Sequence, residues 1–236
     1  DIVLCFHLQL ERVKWYLLWK KTLKAYFWIK NGGMKILTDN YLKLARDNLE
    51  RLYGNLPDGL EEMLPGRKKG SAYSFAAFGQ VCVLAPDRIT LDGLEPPGVI
   101  GILLSLYALN ATTELPILEP IKSFKEFPDS APYVGAFASH TEQILVPAVP
   151  KIKTKIDLVM ERLSGEAAPA SLSGDFAFVL RPLPKILLCY IFYEADEEFP
   201  PSVTCLYSSN ANRFMPMDGL ADVGEYTSKT ILEMVC

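Results

Sequence analysis

The residues best suited to chemistry stand together at Glu194-Ala-Asp-Glu-Glu-Phe-Pro-Pro-Ser202. Four carboxylates follow an apolar run and stop at a double proline, which forces the backbone onto an extended path. Carboxylates set this close raise one another's pKa, so Asp196, Glu197 and Glu198 are candidates for hard-cation binding or acid–base work. The competing reading is a solvated acidic turn after a buried strand, because no Asp/Gly calcium-loop spacing accompanies them. Upstream, Ser173-Gly-Asp175 precedes a second apolar run. If the two runs are neighbouring strands, Asp175 faces the acidic segment from the same end of the sheet.

Other chemistries thin out quickly. The sequence has no G-x-S-x-G elbow, no Walker loop and no G-x-G-x-x-G turn. Beyond His7 the sole histidine is His140, so a His triad or a His-based metal site would hang on one residue. His140 reads as an exposed or hydrogen-bonded helix residue. Gly66-Arg-Lys-Lys-Gly70 reads as a solvated turn, because no helix start follows to supply oriented N–H groups to a phosphate. Five cysteines, at 5, 82, 189, 205 and 236, are odd in number and scattered. They match neither a disulfide scaffold nor the close pairs of a zinc or iron–sulfur site. Cys82 and Cys189 lie inside strand-like runs and are expected to pack as small hydrophobes. A reducing, cytoplasmic location follows.

The elements that must position these groups are legible in outline. Tyr41, Leu42, Ala45, Leu49 and Leu52 keep helical spacing after Thr38 and Asp39, which are placed to cap. Residues 71–78, 80–84 and 88–91 read as a strand meander turning at Gly79 and Asp87. Residues 99–109 read as a buried helix; at about ten apolar residues the stretch is half of what a membrane span needs, so no transmembrane segment is expected. Helices are also expected over 133–144 and 151–163, and over 218–235 with a break near Gly224. Residues 176–180 and 186–193 are the strongest strands, apolar on both faces as central strands covered by helices should be. Strands and helices come in blocks, which predicts an α+β fold: one compact domain with a small, mostly antiparallel sheet flanked by helices.

Charge divides the chain at Met34. Residues 1–33 hold all three tryptophans and a net charge of +4, whereas residues 34–236 carry −8. The first segment is read as a non-native upstream extension or as a basic amphipathic segment. Membrane-surface contact is expected only if residues 13–30 are native. A signal peptide fits less well, since Lys20, Lys21 and Lys24 interrupt any apolar core. Residues 34–236 are expected to form the single α+β domain, whose negative charge disfavours nucleic acid.

Ser123-Phe124 with Phe127-Pro128, then Gly174-Asp175-Phe-Ala177, Pro182-Leu-Pro184 and Asp196-Glu-Glu-Phe-Pro-Pro-Ser202 together resemble the domain-of-unknown-function family DUF3786. The resemblance runs from Met34 to Val235, and the acidic Phe-Pro-Pro-Ser segment is its most specific part. It implies a protein of anaerobic bacteria or archaea, some members being joined to a cysteine-rich iron–sulfur module that this chain lacks. Where the pattern calls for an aromatic–Asp pair, this chain has Tyr207-Ser208, which bears on any ligand that aspartate would hold. The family lends no reaction and no cofactor. The function expected is a non-catalytic cofactor-, metal- or protein-binding accessory module of anaerobic prokaryotic metabolism. An iron–sulfur or corrinoid-type protein is its expected partner. Its ligand would meet Asp175, Asp196, Glu197, Glu198, Phe199, Ser202 and Tyr207, with Phe214 beside them in a groove. The alternative is a metal-assisted hydrolase or transferase using the carboxylates at 194–198.

Overall fold

Residues 186–193 offer almost nothing polar to water, and in the computed structural model they form the middle strand of a five-stranded sheet. The structure describes residues 32–236 apart from Pro97, with side chains from Asn40 onward. Contacts divide the chain into residues 1–43 and a compact unit of residues 44–236. The segment 1–33, apart from its last two positions, lies outside the described residues.

The first elements are helix α1 (Gly32–Gly54) and the single turn α2 (Leu60–Met63). Thr38 and Asp39 fall inside α1 instead of capping it. An antiparallel sheet follows in the order β1 (Arg67–Lys69), β2 (Ala72–Ala77), β3 (Gln80–Ala85) and β4 (Arg88–Leu91). The expected meander is present, but Arg67-Lys-Lys69 is its edge strand and not a turn. All three of its side chains are exposed, so pairing rests on backbone hydrogen bonds, and the charges suit an unpaired sheet edge.

Helix α3 (Ile100–Leu109) comes next and is buried as expected. After β5 (Lys122–Ser123), α4 (Val134–Phe137) runs on into a π turn over Ala138–Glu142 and a 3-10 stretch over Gln143–Ala148. The helix expected over 151–163 is two, α5 (Val149–Thr154) and α6 (Ile156–Arg162), parted at Lys155. Strands β6 (Glu166–Ala167), β7 (Phe176–Leu183), β8 (Ile186–Tyr193) and β9 (Ser202–Tyr207) complete the second sheet, antiparallel in the order β5-β9-β8-β7-β6. Helix α7 (Met217–Val235) ends the chain and passes through Gly224 unbroken. A Cβ at Gly224 would stand 2.7 Å from the Phe137 ring and 2.9 Å from the Tyr207 hydroxyl, so glycine here admits close packing. Two antiparallel sheets with flanking helices make an α+β fold, with two small sheets where one was expected.

Strand β8 shows how the core is built. Leu188, Tyr190 and Phe192 point into the main core, while Leu187, Cys189 and Ile191 point to the opposite face. Burying each such side chain contributes roughly 1.5–3 kcal/mol of transfer free energy. On the main-core side the Tyr190 hydroxyl lies 2.9 Å from Ser228 Oγ on α7, and Ser228 Oγ donates to Thr141 O at 2.8 Å. The other face is covered by Leu118, Ile121, Ala168 and Leu172, which belong to connecting segments. Helices were expected on both faces; irregular chain serves on one because an antiparallel sheet needs no crossover helices.

The two sheets meet at the β2–β3 turn, where Phe78 N donates to Pro182 O at 2.7 Å. Cys82 and Cys189 are buried as read; burial raises the Cys189 thiol to about 11. Among the described residues no helix is long and apolar enough to cross a membrane.

Candidate functional site at the open end of the second sheet

The site is built where β7 begins and β8 turns into β9. Gly174 admits the chain there: a Cβ at that position would meet Ile191 Cγ2 at 2.6 Å. Asp175 N then donates to Phe192 O at 2.9 Å, which aligns the start of β7 against the end of β8. The Asp175 carboxylate accepts from Glu194 N at 2.6 Å, so it holds the first residue of the acidic segment. The juxtaposition expected from two neighbouring strands is therefore present.

Asp196 organises the rest of the connection. Its Oδ1 accepts from Glu198 N at 2.8 Å and Phe199 N at 2.7 Å, while Asp196 N donates to Phe199 O at 3.0 Å. Pro200 and Pro201 carry the chain on to Ser202, which opens β9 opposite Tyr193. A cavity of about 500 Å³ lies within this frame. Asp175, Glu194, Asp196 and Ser202 form its polar side, and Tyr193, Phe199 and Pro200 form its apolar side. Phe199 is 65% exposed, an unusual state for so large an apolar ring. Lys153 on α5 pairs with Glu194.

Crowding of carboxylates was expected to raise their pKa values. For Asp196 the direction is opposite. The Phe199 and Glu198 N–H groups stabilise its ionised form and hold the carboxyl below the ordinary 3.8. Because the folded pKa is depressed, the associated stabilisation is present above the unfolded value and is lost as pH falls through the folded one. Carbon-13 NMR titration of the carboxyl groups should therefore find Asp196 half-protonated below pH 3.8. In Asp196→Ala, the slowed amide exchange of Glu198 and Phe199 should disappear.

The seven residues expected in one ligand site do not all meet. Asp175, Asp196, Phe199 and Ser202 share the cleft, whereas Glu197 and Glu198 are exposed beside it and do not line it. Tyr207 lies at the far end of β9, fully buried, its hydroxyl donating to Leu220 O at 2.6 Å. Its ring packs among Phe124, Phe127 and Phe137. Phe214 is buried too, so neither aromatic lines a groove with Phe199. Ser208, where the resemblance calls for aspartate, is likewise buried. The departure from the pattern therefore falls outside the cleft.

Glu194 and Pro200 belong to the acidic segment that the sequence singles out, whereas Tyr193 and Lys153 are additions that only the structure brings to the site. Tyr193 ends a strand that is otherwise buried, so its exposure has no local signal, and nothing local ties Lys153 to a carboxylate 41 residues away.

Among the described residues, no three His, Cys, Asp or Glu side chains are placed to hold one metal ion. The oxygens expected for a cation are partly taken: one on Asp175 and one on Asp196 accept from the backbone, and Glu194 is paired with Lys153. His140 is engaged elsewhere, its Nδ1 lying 3.0 Å from Glu225 Oε2 on α7. Glu142, on the same π turn, is half-buried and accepts from Cys205 N at 2.9 Å; burial raises its pKa.

A family sequence model, described as a domain of unknown function (DUF3786), matches residues 62–230, more than two-thirds of the chain. The chain belongs to the DUF3786 family. The matched span covers both sheets and the whole cleft, and it ends within α7. No solved structure matches this DUF3786 chain.

Proposed function

We propose that this DUF3786 chain is a non-catalytic binding module that docks a protein partner through the cleft at the end of the second sheet. The observation that carries the reading is the pairing of carboxylates with exposed Tyr193 and Phe199 around one cavity. The second oxygens of Asp175 and Asp196 have no partner among the described residues, and they favour a donor or a cation. Aromatic rings beside them add cation–π attraction and apolar area. The ligand chemistry that fits is a guanidinium or ammonium group next to an apolar side chain, as on a partner's surface. The partner class proposed is an iron–sulfur or corrinoid-type protein of anaerobic metabolism, of which the resemblance suggests the iron–sulfur company alone.

A non-catalytic role is favoured because, among the described residues, the Ser202 hydroxyl is hydrogen-bonded to none of the carboxylates that share the cavity, so no nucleophile is paired with a base. The probe is acetyl-arginyl-leucinamide, titrated calorimetrically into the full chain. Saturable binding is expected, and Phe199→Ala combined with Asp175→Asn should weaken it by at least ~10-fold, the weight of one charge-assisted contact. The asparagine can still accept from Glu194 N, so the frame survives. Equal affinity for the glutamyl analogue would contradict the proposal.

A further inference from the structure

We propose that this chain carries a second ligand site, for a small organic monocarboxylate, in the cavity beside the β7–β8 turn. The cavity measures about 380 Å³, near the lower end of the roughly 300–1,000 Å³ range of small-molecule sites. Pro65, Ala76, Leu115 and Pro116 give it apolar walls, and Arg181 and Lys185 stand on its polar side. It shares no lining residue with the cleft at the other end of the strands.

Lys185 is the residue that calls for a ligand. It is only 2% exposed, and lysine is almost never so buried without a paired charge. Its ammonium donates to Thr112 O, and its backbone N–H donates to the Tyr107 hydroxyl at 3.1 Å. Two of the three ammonium N–H groups find no other acceptor among the described residues. The acid whose field reaches Lys185 is Glu114, which is already held by Arg213 Nη2 at 2.7 Å. The Phe214 ring, 5.9 Å away, supplies a π face and no negative charge. Burial lowers the Lys185 pKa, as expected for an ammonium short of counter-charge.

The neighbouring charges fix the ligand's valence. Arg181 is neutralised by Glu166 at 3.0 Å and donates to Pro184 O at 3.3 Å. One positive charge, that of Lys185, is left uncompensated at the cavity. A single carboxylate matches it, whereas the apolar walls favour a hydrocarbon body over a strongly hydrated inorganic ion.

The test is an NMR titration of the full chain with butyrate, with inorganic phosphate and butylamine as comparators. Saturable butyrate shifts are expected, centred on Leu115, Ser164, Arg181 and Lys185. Phosphate should bind at least ~10-fold more weakly, and butylamine should give none of these shifts. Lys185→Met, which keeps length and removes charge, should abolish the saturable shifts. If that variant fails to fold, the parent map decides alone. The proposal is overturned by non-saturable butyrate shifts, by shifts centred elsewhere, by phosphate binding as tightly as butyrate, or by a folded Lys185→Met that binds butyrate like the parent.

Discussion

The Phe192→Ala variant is expected to lose about 3–5 kcal/mol of unfolding free energy, the usual cost of deleting a fully buried aromatic ring. Phe192 is completely buried on the middle strand, stacked on Phe176 at 4.5 Å and packed against Phe178 at 5.2 Å. Strands β7 and β9 lie to either side, and Asp175 N is hydrogen-bonded to its carbonyl, so the surroundings have little room to collapse into the space. A domain of this kind has about 5–15 kcal/mol in total, so the loss is a large share of it. In urea, the midpoint should fall with the slope unchanged. Phe192→Leu keeps much of the volume and should cost less than half as much. A loss below about 1 kcal/mol for the alanine variant would contradict the central placement of β8.

Gly79→Ala is expected to cost about 2–4 kcal/mol, from two separate penalties. Phe78 and Gly79 form the two-residue turn between β2 and β3, with φ of 50° and 75°. Positive φ at both positions is what this hairpin turn requires. An alanine at 79 would be strained by its φ, and its Cβ would fall within contact distance of the Arg162 carbonyl oxygen, a backbone atom that cannot rotate away. Gly93 supplies the control, because its φ is 79° but nothing lies within 4 Å of a Cβ there. Gly93→Ala should therefore cost about 1 kcal/mol, the conformational share alone. Thermal or urea unfolding of the pair separates strain from clash. Equal losses would mean that the sheet corner is not packed against α6.

Particular residues show how far the sequence could be read. Strands β7 and β8 announced themselves because apolar side chains on both faces must be covered on both. The acidic segment was visible because four carboxylates before two prolines have no place in a core. Tyr207 was misplaced although its phase was available: Val203, Cys205 and Tyr207 share the inward side of β9, and Ser202 starts the outward one. Alternation therefore tied Tyr207 to the core and Ser202 to the cleft. Arg67-Lys-Lys69 carried no apolar signal because an edge strand is held by backbone hydrogen bonds alone. Lys185 was hidden for the opposite reason. Its burial depends on Tyr107 and Thr112, more than seventy residues earlier, and no local pattern reports that.

The most direct test of the docking proposal is an NMR map of the full chain titrated with acetyl-arginyl-leucinamide. Asp175, Tyr193, Glu194, Asp196, Phe199 and Ser202 should shift together and saturate, with Tyr207 and Lys185 unmoved. Shifts centred on any other surface, or none that saturate, would contradict the assignment of the cleft as the docking site.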